Sequence, residues 1–387
     1  MNILYIDTTK KLIDLCQQLQ ACDWLALDTE FMREKTYYPK LCLLQVGTPE
    51  ITACIDPLSI DDLDPILKLI YDPGMVKVMH ACGQDMECFY HLRGDLPTQV
   101  FDTQVAAPLL GYPEQAGYAR LVEDILGVRL KKSHTRADWS HRPLSAAQLE
   151  YAADDVVYLC RLYTHLHDQL SQRGRLDWLQ SDFVSLSDSS RYENPPTLAW
   201  RRIKAAQKLR GKQLAILQAL AAWRETTAQK DNIPRGWLIK DDVLGDIARQ
   251  QPTNMEELSR IRGLNEGTLK RRADKILKVI SDSRNNTPEA LPAYTRALKP
   301  SVEQEALVEL LSAVVHLRAA EQTLNPAQLA SRKELQRLVM GDNELDIMQG
   351  WRRKLIGEEL QSVLTGERQL HIQDGSLKVL ERDVSLS

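Results

Sequence analysis

No Cys-x-x-Cys pair occurs in this sequence, no apolar run is long enough to span a bilayer, and no excess of basic residues marks the chain as a whole. Each absence excludes something. The seven cysteines, Cys16, Cys22, Cys42, Cys54, Cys82, Cys88 and Cys160, are odd in number and lack metal-ligand spacing. They argue against zinc and against a disulfide framework, and fit a reducing compartment. Met1-Asn2-Ile3-Leu4-Tyr5 runs into charged residues within a few positions, so a cytoplasmic protein without a membrane partner is expected. A net charge of -4 and a pI of about 6.1 give no global signature of nucleic-acid binding. Any such surface must be local. At 387 residues the chain exceeds one compact core, and two or three domains are expected.

What the sequence does contain begins with Leu25-Ala26-Leu27-Asp28-Thr29-Glu30-Phe31, an apolar run that ends on two carboxylates. In an extended strand alternate side chains share a face, so Asp28 and Glu30 emerge together about 7 Å apart along the chain. Hard divalent cations such as Mg²⁺ take oxygen ligands of this kind. Many strands end in a solvated polar pair, so the spacing needs partners. Segments 24–30, 41–47 and 51–55 read as an antiparallel meander after a helix over 8–20. A helix at 62–71, a strand at 76–80, a helix near 84–93 and a short strand around Val100-Phe101 then imply parallel additions, hence a mixed α/β sheet.

Three further stretches carry candidates. His80-Ala81-Cys82-Gly83-Gln84-Asp85 follows a strand and opens a helix, placing Asp85 in the first turn, where a helix dipole alone would favour an acid. His80 reads as a local hydrogen-bonding group and Asp102 as an N-cap. A long helix over 145–170, capped by Ser145, sets Tyr151 and Asp155 four residues apart on one face, with Asp154 pointing elsewhere.

Taken together, these motifs resemble the DEDD superfamily of 3′-to-5′ exonucleases, with the tyrosine marking its DEDDy branch. Leu27-Asp28-Thr29-Glu30-Phe31, Tyr37-Tyr38-Pro39, His80-Ala81, Phe101-Asp102-Thr103-Gln104, Asp138-Trp139, Arg142-Pro143-Leu144 and Tyr151-Ala152-Ala153-Asp154-Asp155 are similar to the bacterial ribonuclease D family. The resemblance implies a ribonuclease-H-like exonuclease domain over residues 1–172. It also implies roles. Asp28, Glu30 and Asp155 hold one divalent ion, Asp28 bridges to a second, and Asp85 contributes directly or through water. Two such ions, Mg²⁺ or Mn²⁺, about 4 Å apart serve in-line displacement at phosphorus. Tyr151, a poor base with an ordinary pKa near 10, is assigned to orienting the attacking water. The doubled acid at Asp154-Asp155 departs from relatives that carry alanine first. Phe31, Tyr37 and Tyr38 are candidates for stacking on terminal bases, although Phe31 suits core packing equally.

After residue 172, Gly174, the Ser185–Ser190 stretch and Asn194-Pro195-Pro196 read as a connector over 173–208, with Trp178 and Phe183 packing part of it. A basic run follows, with Arg201 and Arg202 as candidate phosphate contacts. Residues 209–289 resemble the HRDC domain through Trp223-Arg224, Asn232-Ile233-Pro234 and Leu258-Ser259-Arg260-Ile261-Arg262-Gly263-Leu264. These lead into a helix whose Lys270, Arg271 and Arg272 are further RNA-binding candidates. A second HRDC-like all-α unit is expected over 295–370, after a linker from Asn285-Asn286-Thr287-Pro288 to Pro292, and a loose polar tail over 371–387.

The expectation is therefore an exoribonuclease that releases nucleoside 5′-monophosphates from the 3′ end of RNA. The family resemblance points to tRNA precursors and to no obligatory protein partner. A 3′-to-5′ DNA exonuclease and a non-catalytic RNA-binding scaffold are the alternatives.

Overall fold

The computed structural model describes residues 3–130, 137–289 and 300–382. The second half of the expected linker, from residue 290, and the tail beyond 382 lie outside them.

Six strands form one sheet: β1 (Leu4–Ile6), β2 (Trp24–Met32), β3 (Lys40–Gly47), β4 (Thr52–Ile55), β5 (Val76–Met79) and β6 (Val100–Asp102), in the order β1-β4-β3-β2-β5-β6. The β2-β3-β4 part is the expected antiparallel meander, and β1, β5 and β6 add to it in parallel. Strand β1, too short to carry a pattern, is the one the sequence did not reveal. Helix α1 (Thr9–Leu19) starts where the Thr8 side chain accepts from the Lys11 amide, and buries Leu12, Leu15, Cys16 and Leu19 at helical spacing. With α2 (Asp64–Ile70) and α3 (Gly83–Arg93) it covers the sheet face that presents Leu25 and Leu27. After α4 (Thr103–Ala106) and α5 (Tyr118–Leu126), the opposite face is covered by α6 (Ala146–Gln172).

Helix α6 opens with a capping box in which Ser145 and Gln148 satisfy each other's backbone amides. It lies unusually close to the sheet: a Cβ added at Gly47 would come within 3.0 Å of Val156 Cβ and 3.1 Å of Cys160 Sγ. Only glycine lets β3 and α6 approach this far, and the approach brings the Tyr151–Asp155 turn down onto β2.

The stretch expected as a connector is packed. It contains α7 (Gln180–Leu186) and several 3-10 turns, and Trp200, Ile203, Ala206 and Leu209 are core residues of the helical unit that follows. The packing has a simple cause: large apolar residues stand between the polar turns, and Leu179, Leu186, Tyr192 and Trp200 among them are buried. That unit comprises α8 (Gly211–Asp231), α9 (Arg235–Leu238), α10 (Asp241–Gln250), α11 (Met255–Ser259) and α12 (Glu266–Ser283). Inside it the buried Arg224 guanidinium donates to Ile239 O at 2.8 Å and pairs with Asp241 at 2.8 Å.

The last unit repeats this order. Helix α13 (Val302–Gln322) has 21 residues, like α8, and both stop at a left-handed residue, Thr323 at φ 54° and Asn232 at φ 47°. The four-residue α14 (Pro326–Leu329) and then α15 (Arg332–Val339) match α9 and α10. Its core is continuous with that of the sheet-bearing half: Leu311, Val315 and Ile356 belong to one apolar cluster with Leu109, Leu162 and Leu166. Arg175 clamps the two by donating to Leu109 O at 2.7 Å and Gln322 O at 2.6 Å, beside a stacked Trp178–Trp351 pair 4.3 Å apart.

The expected loose tail is a hairpin through residue 381, with β7 (Arg368–Gln373) paired to β8 (Ser376–Glu381). Asp374 and Gly375 both have positive φ, 51° and 73°, the turn that suits right-twisted strands. Leu370 and Val379 pack on the bundle. The alternating pattern was masked by the charged residues between.

The shared core makes the C-terminal unit part of the catalytic half's stability. A chain ended at residue 299 is expected to melt below the full chain and to bind an apolar dye. Leu311→Ala in the full chain is expected to cost about 2–5 kcal/mol. Calorimetry checks both, and an unchanged melting temperature on truncation would refute the shared core.

Candidate active site

The carboxylates of Asp28 and Glu30 on β2 and of Asp155 on α6 offer oxygens that all lie within 4.8 Å of one another. Strand alternation turns Asp28 and Glu30 toward α6, and the close seating of that helix supplies the third acid. Parallel strand β5 pairs with β2 only along Trp24–Ala26, so β2 runs on past its neighbour and the acids sit on the free stretch. A β-bulge between Glu30 and Phe31 bends the strand there. Asp85, in the first turn of α3, comes from the other side and accepts a hydrogen bond from Thr29 Oγ1. It stands outside the close trio but lines the same cavity of about 660 Å³, together with Phe31, His80, Tyr118, Trp139 and Tyr151. Asp155, not Asp154, faces this cavity.

Burial raises all four acids, and repulsion from neighbouring carboxylates adds to it. Asp28 is held well above the usual carboxylate range, first by desolvation and then by Asp155, Asp85 and Glu30. Desolvation, with Asp155 and Asp85, pushes Glu30 up to about 8. Asp155 rises to about 7 through burial, then Asp154 and Asp85. Asp85 also rises to about 7 by burial, against the lowering effect of the Thr29 hydrogen bond. Crowded carboxylates of this kind fit hard divalent cations: the donors are all oxygen, and a cation replaces the protons that repulsion would otherwise retain.

Tyr151 lines the cavity with its ring 6.1 Å from Trp139, and burial followed by Asp155, Glu30 and Asp28 raises its pKa. It stays a neutral phenol at pH 7. The loop carrying Trp139 is held by Arg142, whose guanidinium reaches both oxygens of buried Asp56 at 2.6 and 2.7 Å and donates to Trp139 O at 2.7 Å. Tyr118 is a residue that sequence reasoning missed: its hydroxyl donates to the backbone carbonyl of Asp155, pinning the α6 turn from behind. A lone tyrosine one residue past Gly117 gives no signal of that role. His80 bonds locally as expected, Nδ1 lying 2.9 Å from Thr103 Oγ1, and Asp102 caps α4 by accepting from the Gln104 amide.

The 3′-5′ exonuclease family model matches residues 3–171 and the HRDC domain model matches 213–280. The chain is 37% identical to ribonuclease D of Granulibacter bethesdensis over 97% of this chain and 96% of that one. It is 38% identical to ribonuclease D of Gluconacetobacter diazotrophicus over 96% and 95%. The chain belongs to the ribonuclease D family. The crystal structure of Escherichia coli RNase D, described as an exoribonuclease involved in structured RNA processing, superposes with a TM-score of 0.79 at 32% identity over 95% of this chain and 99% of that one. Membership makes the chain a 3′-to-5′ exoribonuclease with an HRDC domain.

Within this ribonuclease D chain the expected RNA contacts separate. Phe31 lines the cavity. Tyr37 does something else: together with the Tyr38 amide it docks the β2-β3 loop onto the HRDC domain, while the half-buried Tyr38 ring packs against His91 with ring centroids 4.4 Å apart. Both backbone amides donate to Asn232 Oδ1, at 3.0 and 3.1 Å, and the Tyr37 hydroxyl donates to buried Glu225 while accepting from Gln229 Nε2 at 3.3 Å. Tyr37 is 8% exposed, so it offers no face to a base. Arg201 is tied to Glu289 and packs over Trp200, whereas Arg202 lines a second cavity of about 740 Å³ with Arg33, Arg191 and Arg235. Arg272 pairs with Asp231 at 2.6 Å, and Lys270 and Arg271 are exposed.

Two measurements follow from this geometry. Acids raised in the folded state bind protons that the unfolded chain has already released between about pH 4 and 8, so folding stability without divalent cations falls as pH rises through that window. In chelator the melting temperature is expected to drop from pH 5.5 to 8, and the increment produced by Mn²⁺ to grow; a flat profile in both would contradict the crowding. Tyr37→Phe is expected to loosen the HRDC dock, read as faster amide exchange at Asn232 and in the 33–39 loop, with the carboxylate cluster unaffected.

Proposed function

We propose that the chain removes nucleotides from the 3′ end of RNA as nucleoside 5′-monophosphates. Two divalent cations, Mg²⁺ or Mn²⁺, would be held by Asp28, Glu30, Asp155 and, directly or through water, Asp85. The observation that carries this reading is the convergence of acids from β2, α3 and α6 in one open cavity beside a neutral phenol. When bound, such cations supply charge neutralisation at the scissile phosphate and a lowered pKa for water. The rest falls to side chains. Tyr151, neutral at pH 7, orients the attacking water by hydrogen bonding instead of taking its proton. Phe31 presents an aromatic face to the terminal base at the cavity wall, a contact indifferent to sequence.

An acidic centre repels phosphate, so the attraction must come from beside it. Arg33 and Glu34 border both the catalytic cavity and the second one, and Arg202 borders the second and a third that also holds Lys204, Lys208 and Arg249. This row of cations leads away from the carboxylates along the HRDC side, and among the described residues Arg202 has no ion-pair partner. It suits an RNA strand threaded toward the cavity, while the HRDC domain and the repeated bundle, which we read as a second HRDC-like unit, hold the folded body of a tRNA precursor. The seven free cysteines suit the cytoplasm.

Mass analysis of products from a 3′-tailed tRNA should show nucleoside 5′-monophosphates, abolished by chelator and lowered more than about 100-fold by Asp28→Ala, since even outer partners of ligands are worth 10–100-fold. Intact Asp28→Ala activity would refute the site. Matched RNA and DNA oligonucleotides separate the substrate classes, and faster DNA cleavage would overturn the RNA assignment. Arg202→Ala is expected to reduce the salt slope of RNA binding by about 0.7.

A further inference from the structure

Gln45 is fully buried, yet neither its Nε2 nor its Oε1 has a hydrogen-bond partner. An amide left unpaired at both ends in a protein interior is costly, and a methionine would fill the same space without that cost. Such a group calls for a specific explanation.

Its position supplies one. In the sheet, Gln45 stands directly opposite Asp28 of β2 on one side and Cys54 of β4 on the other. Directly opposed residues share a face, so Asp28, Gln45 and Cys54 form a row across three strands. The row lies on the α6 face: Gly47, two residues along β3, abuts Val156 and Cys160, and Cys54 Sγ lies 3.9 Å from Leu149 O. Gln45 is thus enclosed beneath the helix that carries Tyr151 and Asp155. The thiol in the row is directed at a carbonyl of α6, which leaves the Asp28 carboxylate as the acceptor across the sheet.

We infer that Gln45 is a positioning residue for the reaction, its Nε2–H donating to the Asp28 carboxylate when that group is held as an anion by a divalent cation. Asp28 lies on β2 directly opposite Gln45 with its carboxylate in the close trio, and it can rotate about its own side-chain bonds. One hydrogen bond from a rigid strand neighbour fixes which oxygen turns toward the cavity. Outer partners of this kind orient metal-binding carboxylates and contribute about 10–100-fold in cation affinity. The inference rests on the proposed role of Asp28 in holding a cation.

The test is Mn²⁺ binding, by calorimetry or by the paramagnetic signal of free Mn²⁺, to the full chain and to Gln45→Met. The variant is expected to melt at or above the wild-type temperature in chelator, because an unpaired amide has been replaced by an apolar chain of similar size. Its Mn²⁺ affinity is expected to fall about 10–100-fold, and the Mn²⁺-induced rise in melting temperature to shrink. Should Gln45→Met fail to fold, Gln45→Asn, which keeps the amide but withdraws it by one methylene, is expected to lose affinity in the same direction. Affinity within threefold of wild type in a folded variant would overturn the inference. Wild-type protein that binds no Mn²⁺ would instead overturn the reading of the carboxylate cluster itself. Loss of affinity accompanied by an equal loss of stability in chelator would make Gln45 merely structural, which also overturns it.

Discussion

Negative charge gathered at one point is what the rest of this fold has to hold in place. Four carboxylates face one cavity, each raised first by burial, with repulsion from neighbouring acids added, and left alone they would push α6 and α3 away from β2. The neighbouring structure opposes that push by packing. Gly47 lets β3 and α6 touch, small Ala152 and Ala153 fill the same interface, and Ser145 with Gln148 fixes where the helix begins. Tyr118 holds the Asp155 turn through its backbone carbonyl, a bond that leaves the carboxylate free to face the cavity. Stability is spent at the site and recovered in the layers around it, the usual arrangement where function needs like charges together.

The same charge explains the architecture beyond the catalytic half. A cavity that repels phosphate needs cations close enough to attract RNA and far enough away not to neutralise the acids. Arg33 marks that border. It salt-bridges Glu87 at 2.7 Å and lines both cavities. A chain with a net charge of -4 therefore presents a basic track without being basic overall.

Much of this was legible in the sequence because it is written in local periodicity. Short-range patterns place Asp28 and Glu30 on one strand face, Tyr151 and Asp155 on one helix face and Asp85 in a first turn, whereas their meeting in one site was what the resemblance to the 3′-to-5′ exonucleases implied. Tyr37 was read as a platform for bases because an aromatic residue near a nuclease motif has no local feature that distinguishes stacking from docking. The partners of its hydroxyl, Glu225 and Gln229, and the Asn232 that holds its amide, lie nearly 200 residues away. Tyr118, Arg142 with Asp56, and Arg175 with Gln322 were hidden for the same reason: each joins segments with no shared period. The hairpin after Gly366 was hidden differently, since its apolar residues alternate correctly but sit among charges that resemble a solvated tail.

The Tyr37 dock gives the arrangement its mechanical sense. Strand β2 carries Asp28 and Glu30, leaves the sheet's parallel side after Ala26, and passes through Phe31 into the very loop whose amides are held by Asn232 at the left-handed end of α8. Five residues lie between Phe31 and Tyr37, so a short segment joins the strand that carries Asp28 and Glu30 to the HRDC dock. The buried Glu225 at that anchor accepts from Tyr37 and has Arg235 of the basic track 3.7 Å away. Arg235 thus lines the second cavity on one side and stands beside the buried anchor of Tyr37 on the other.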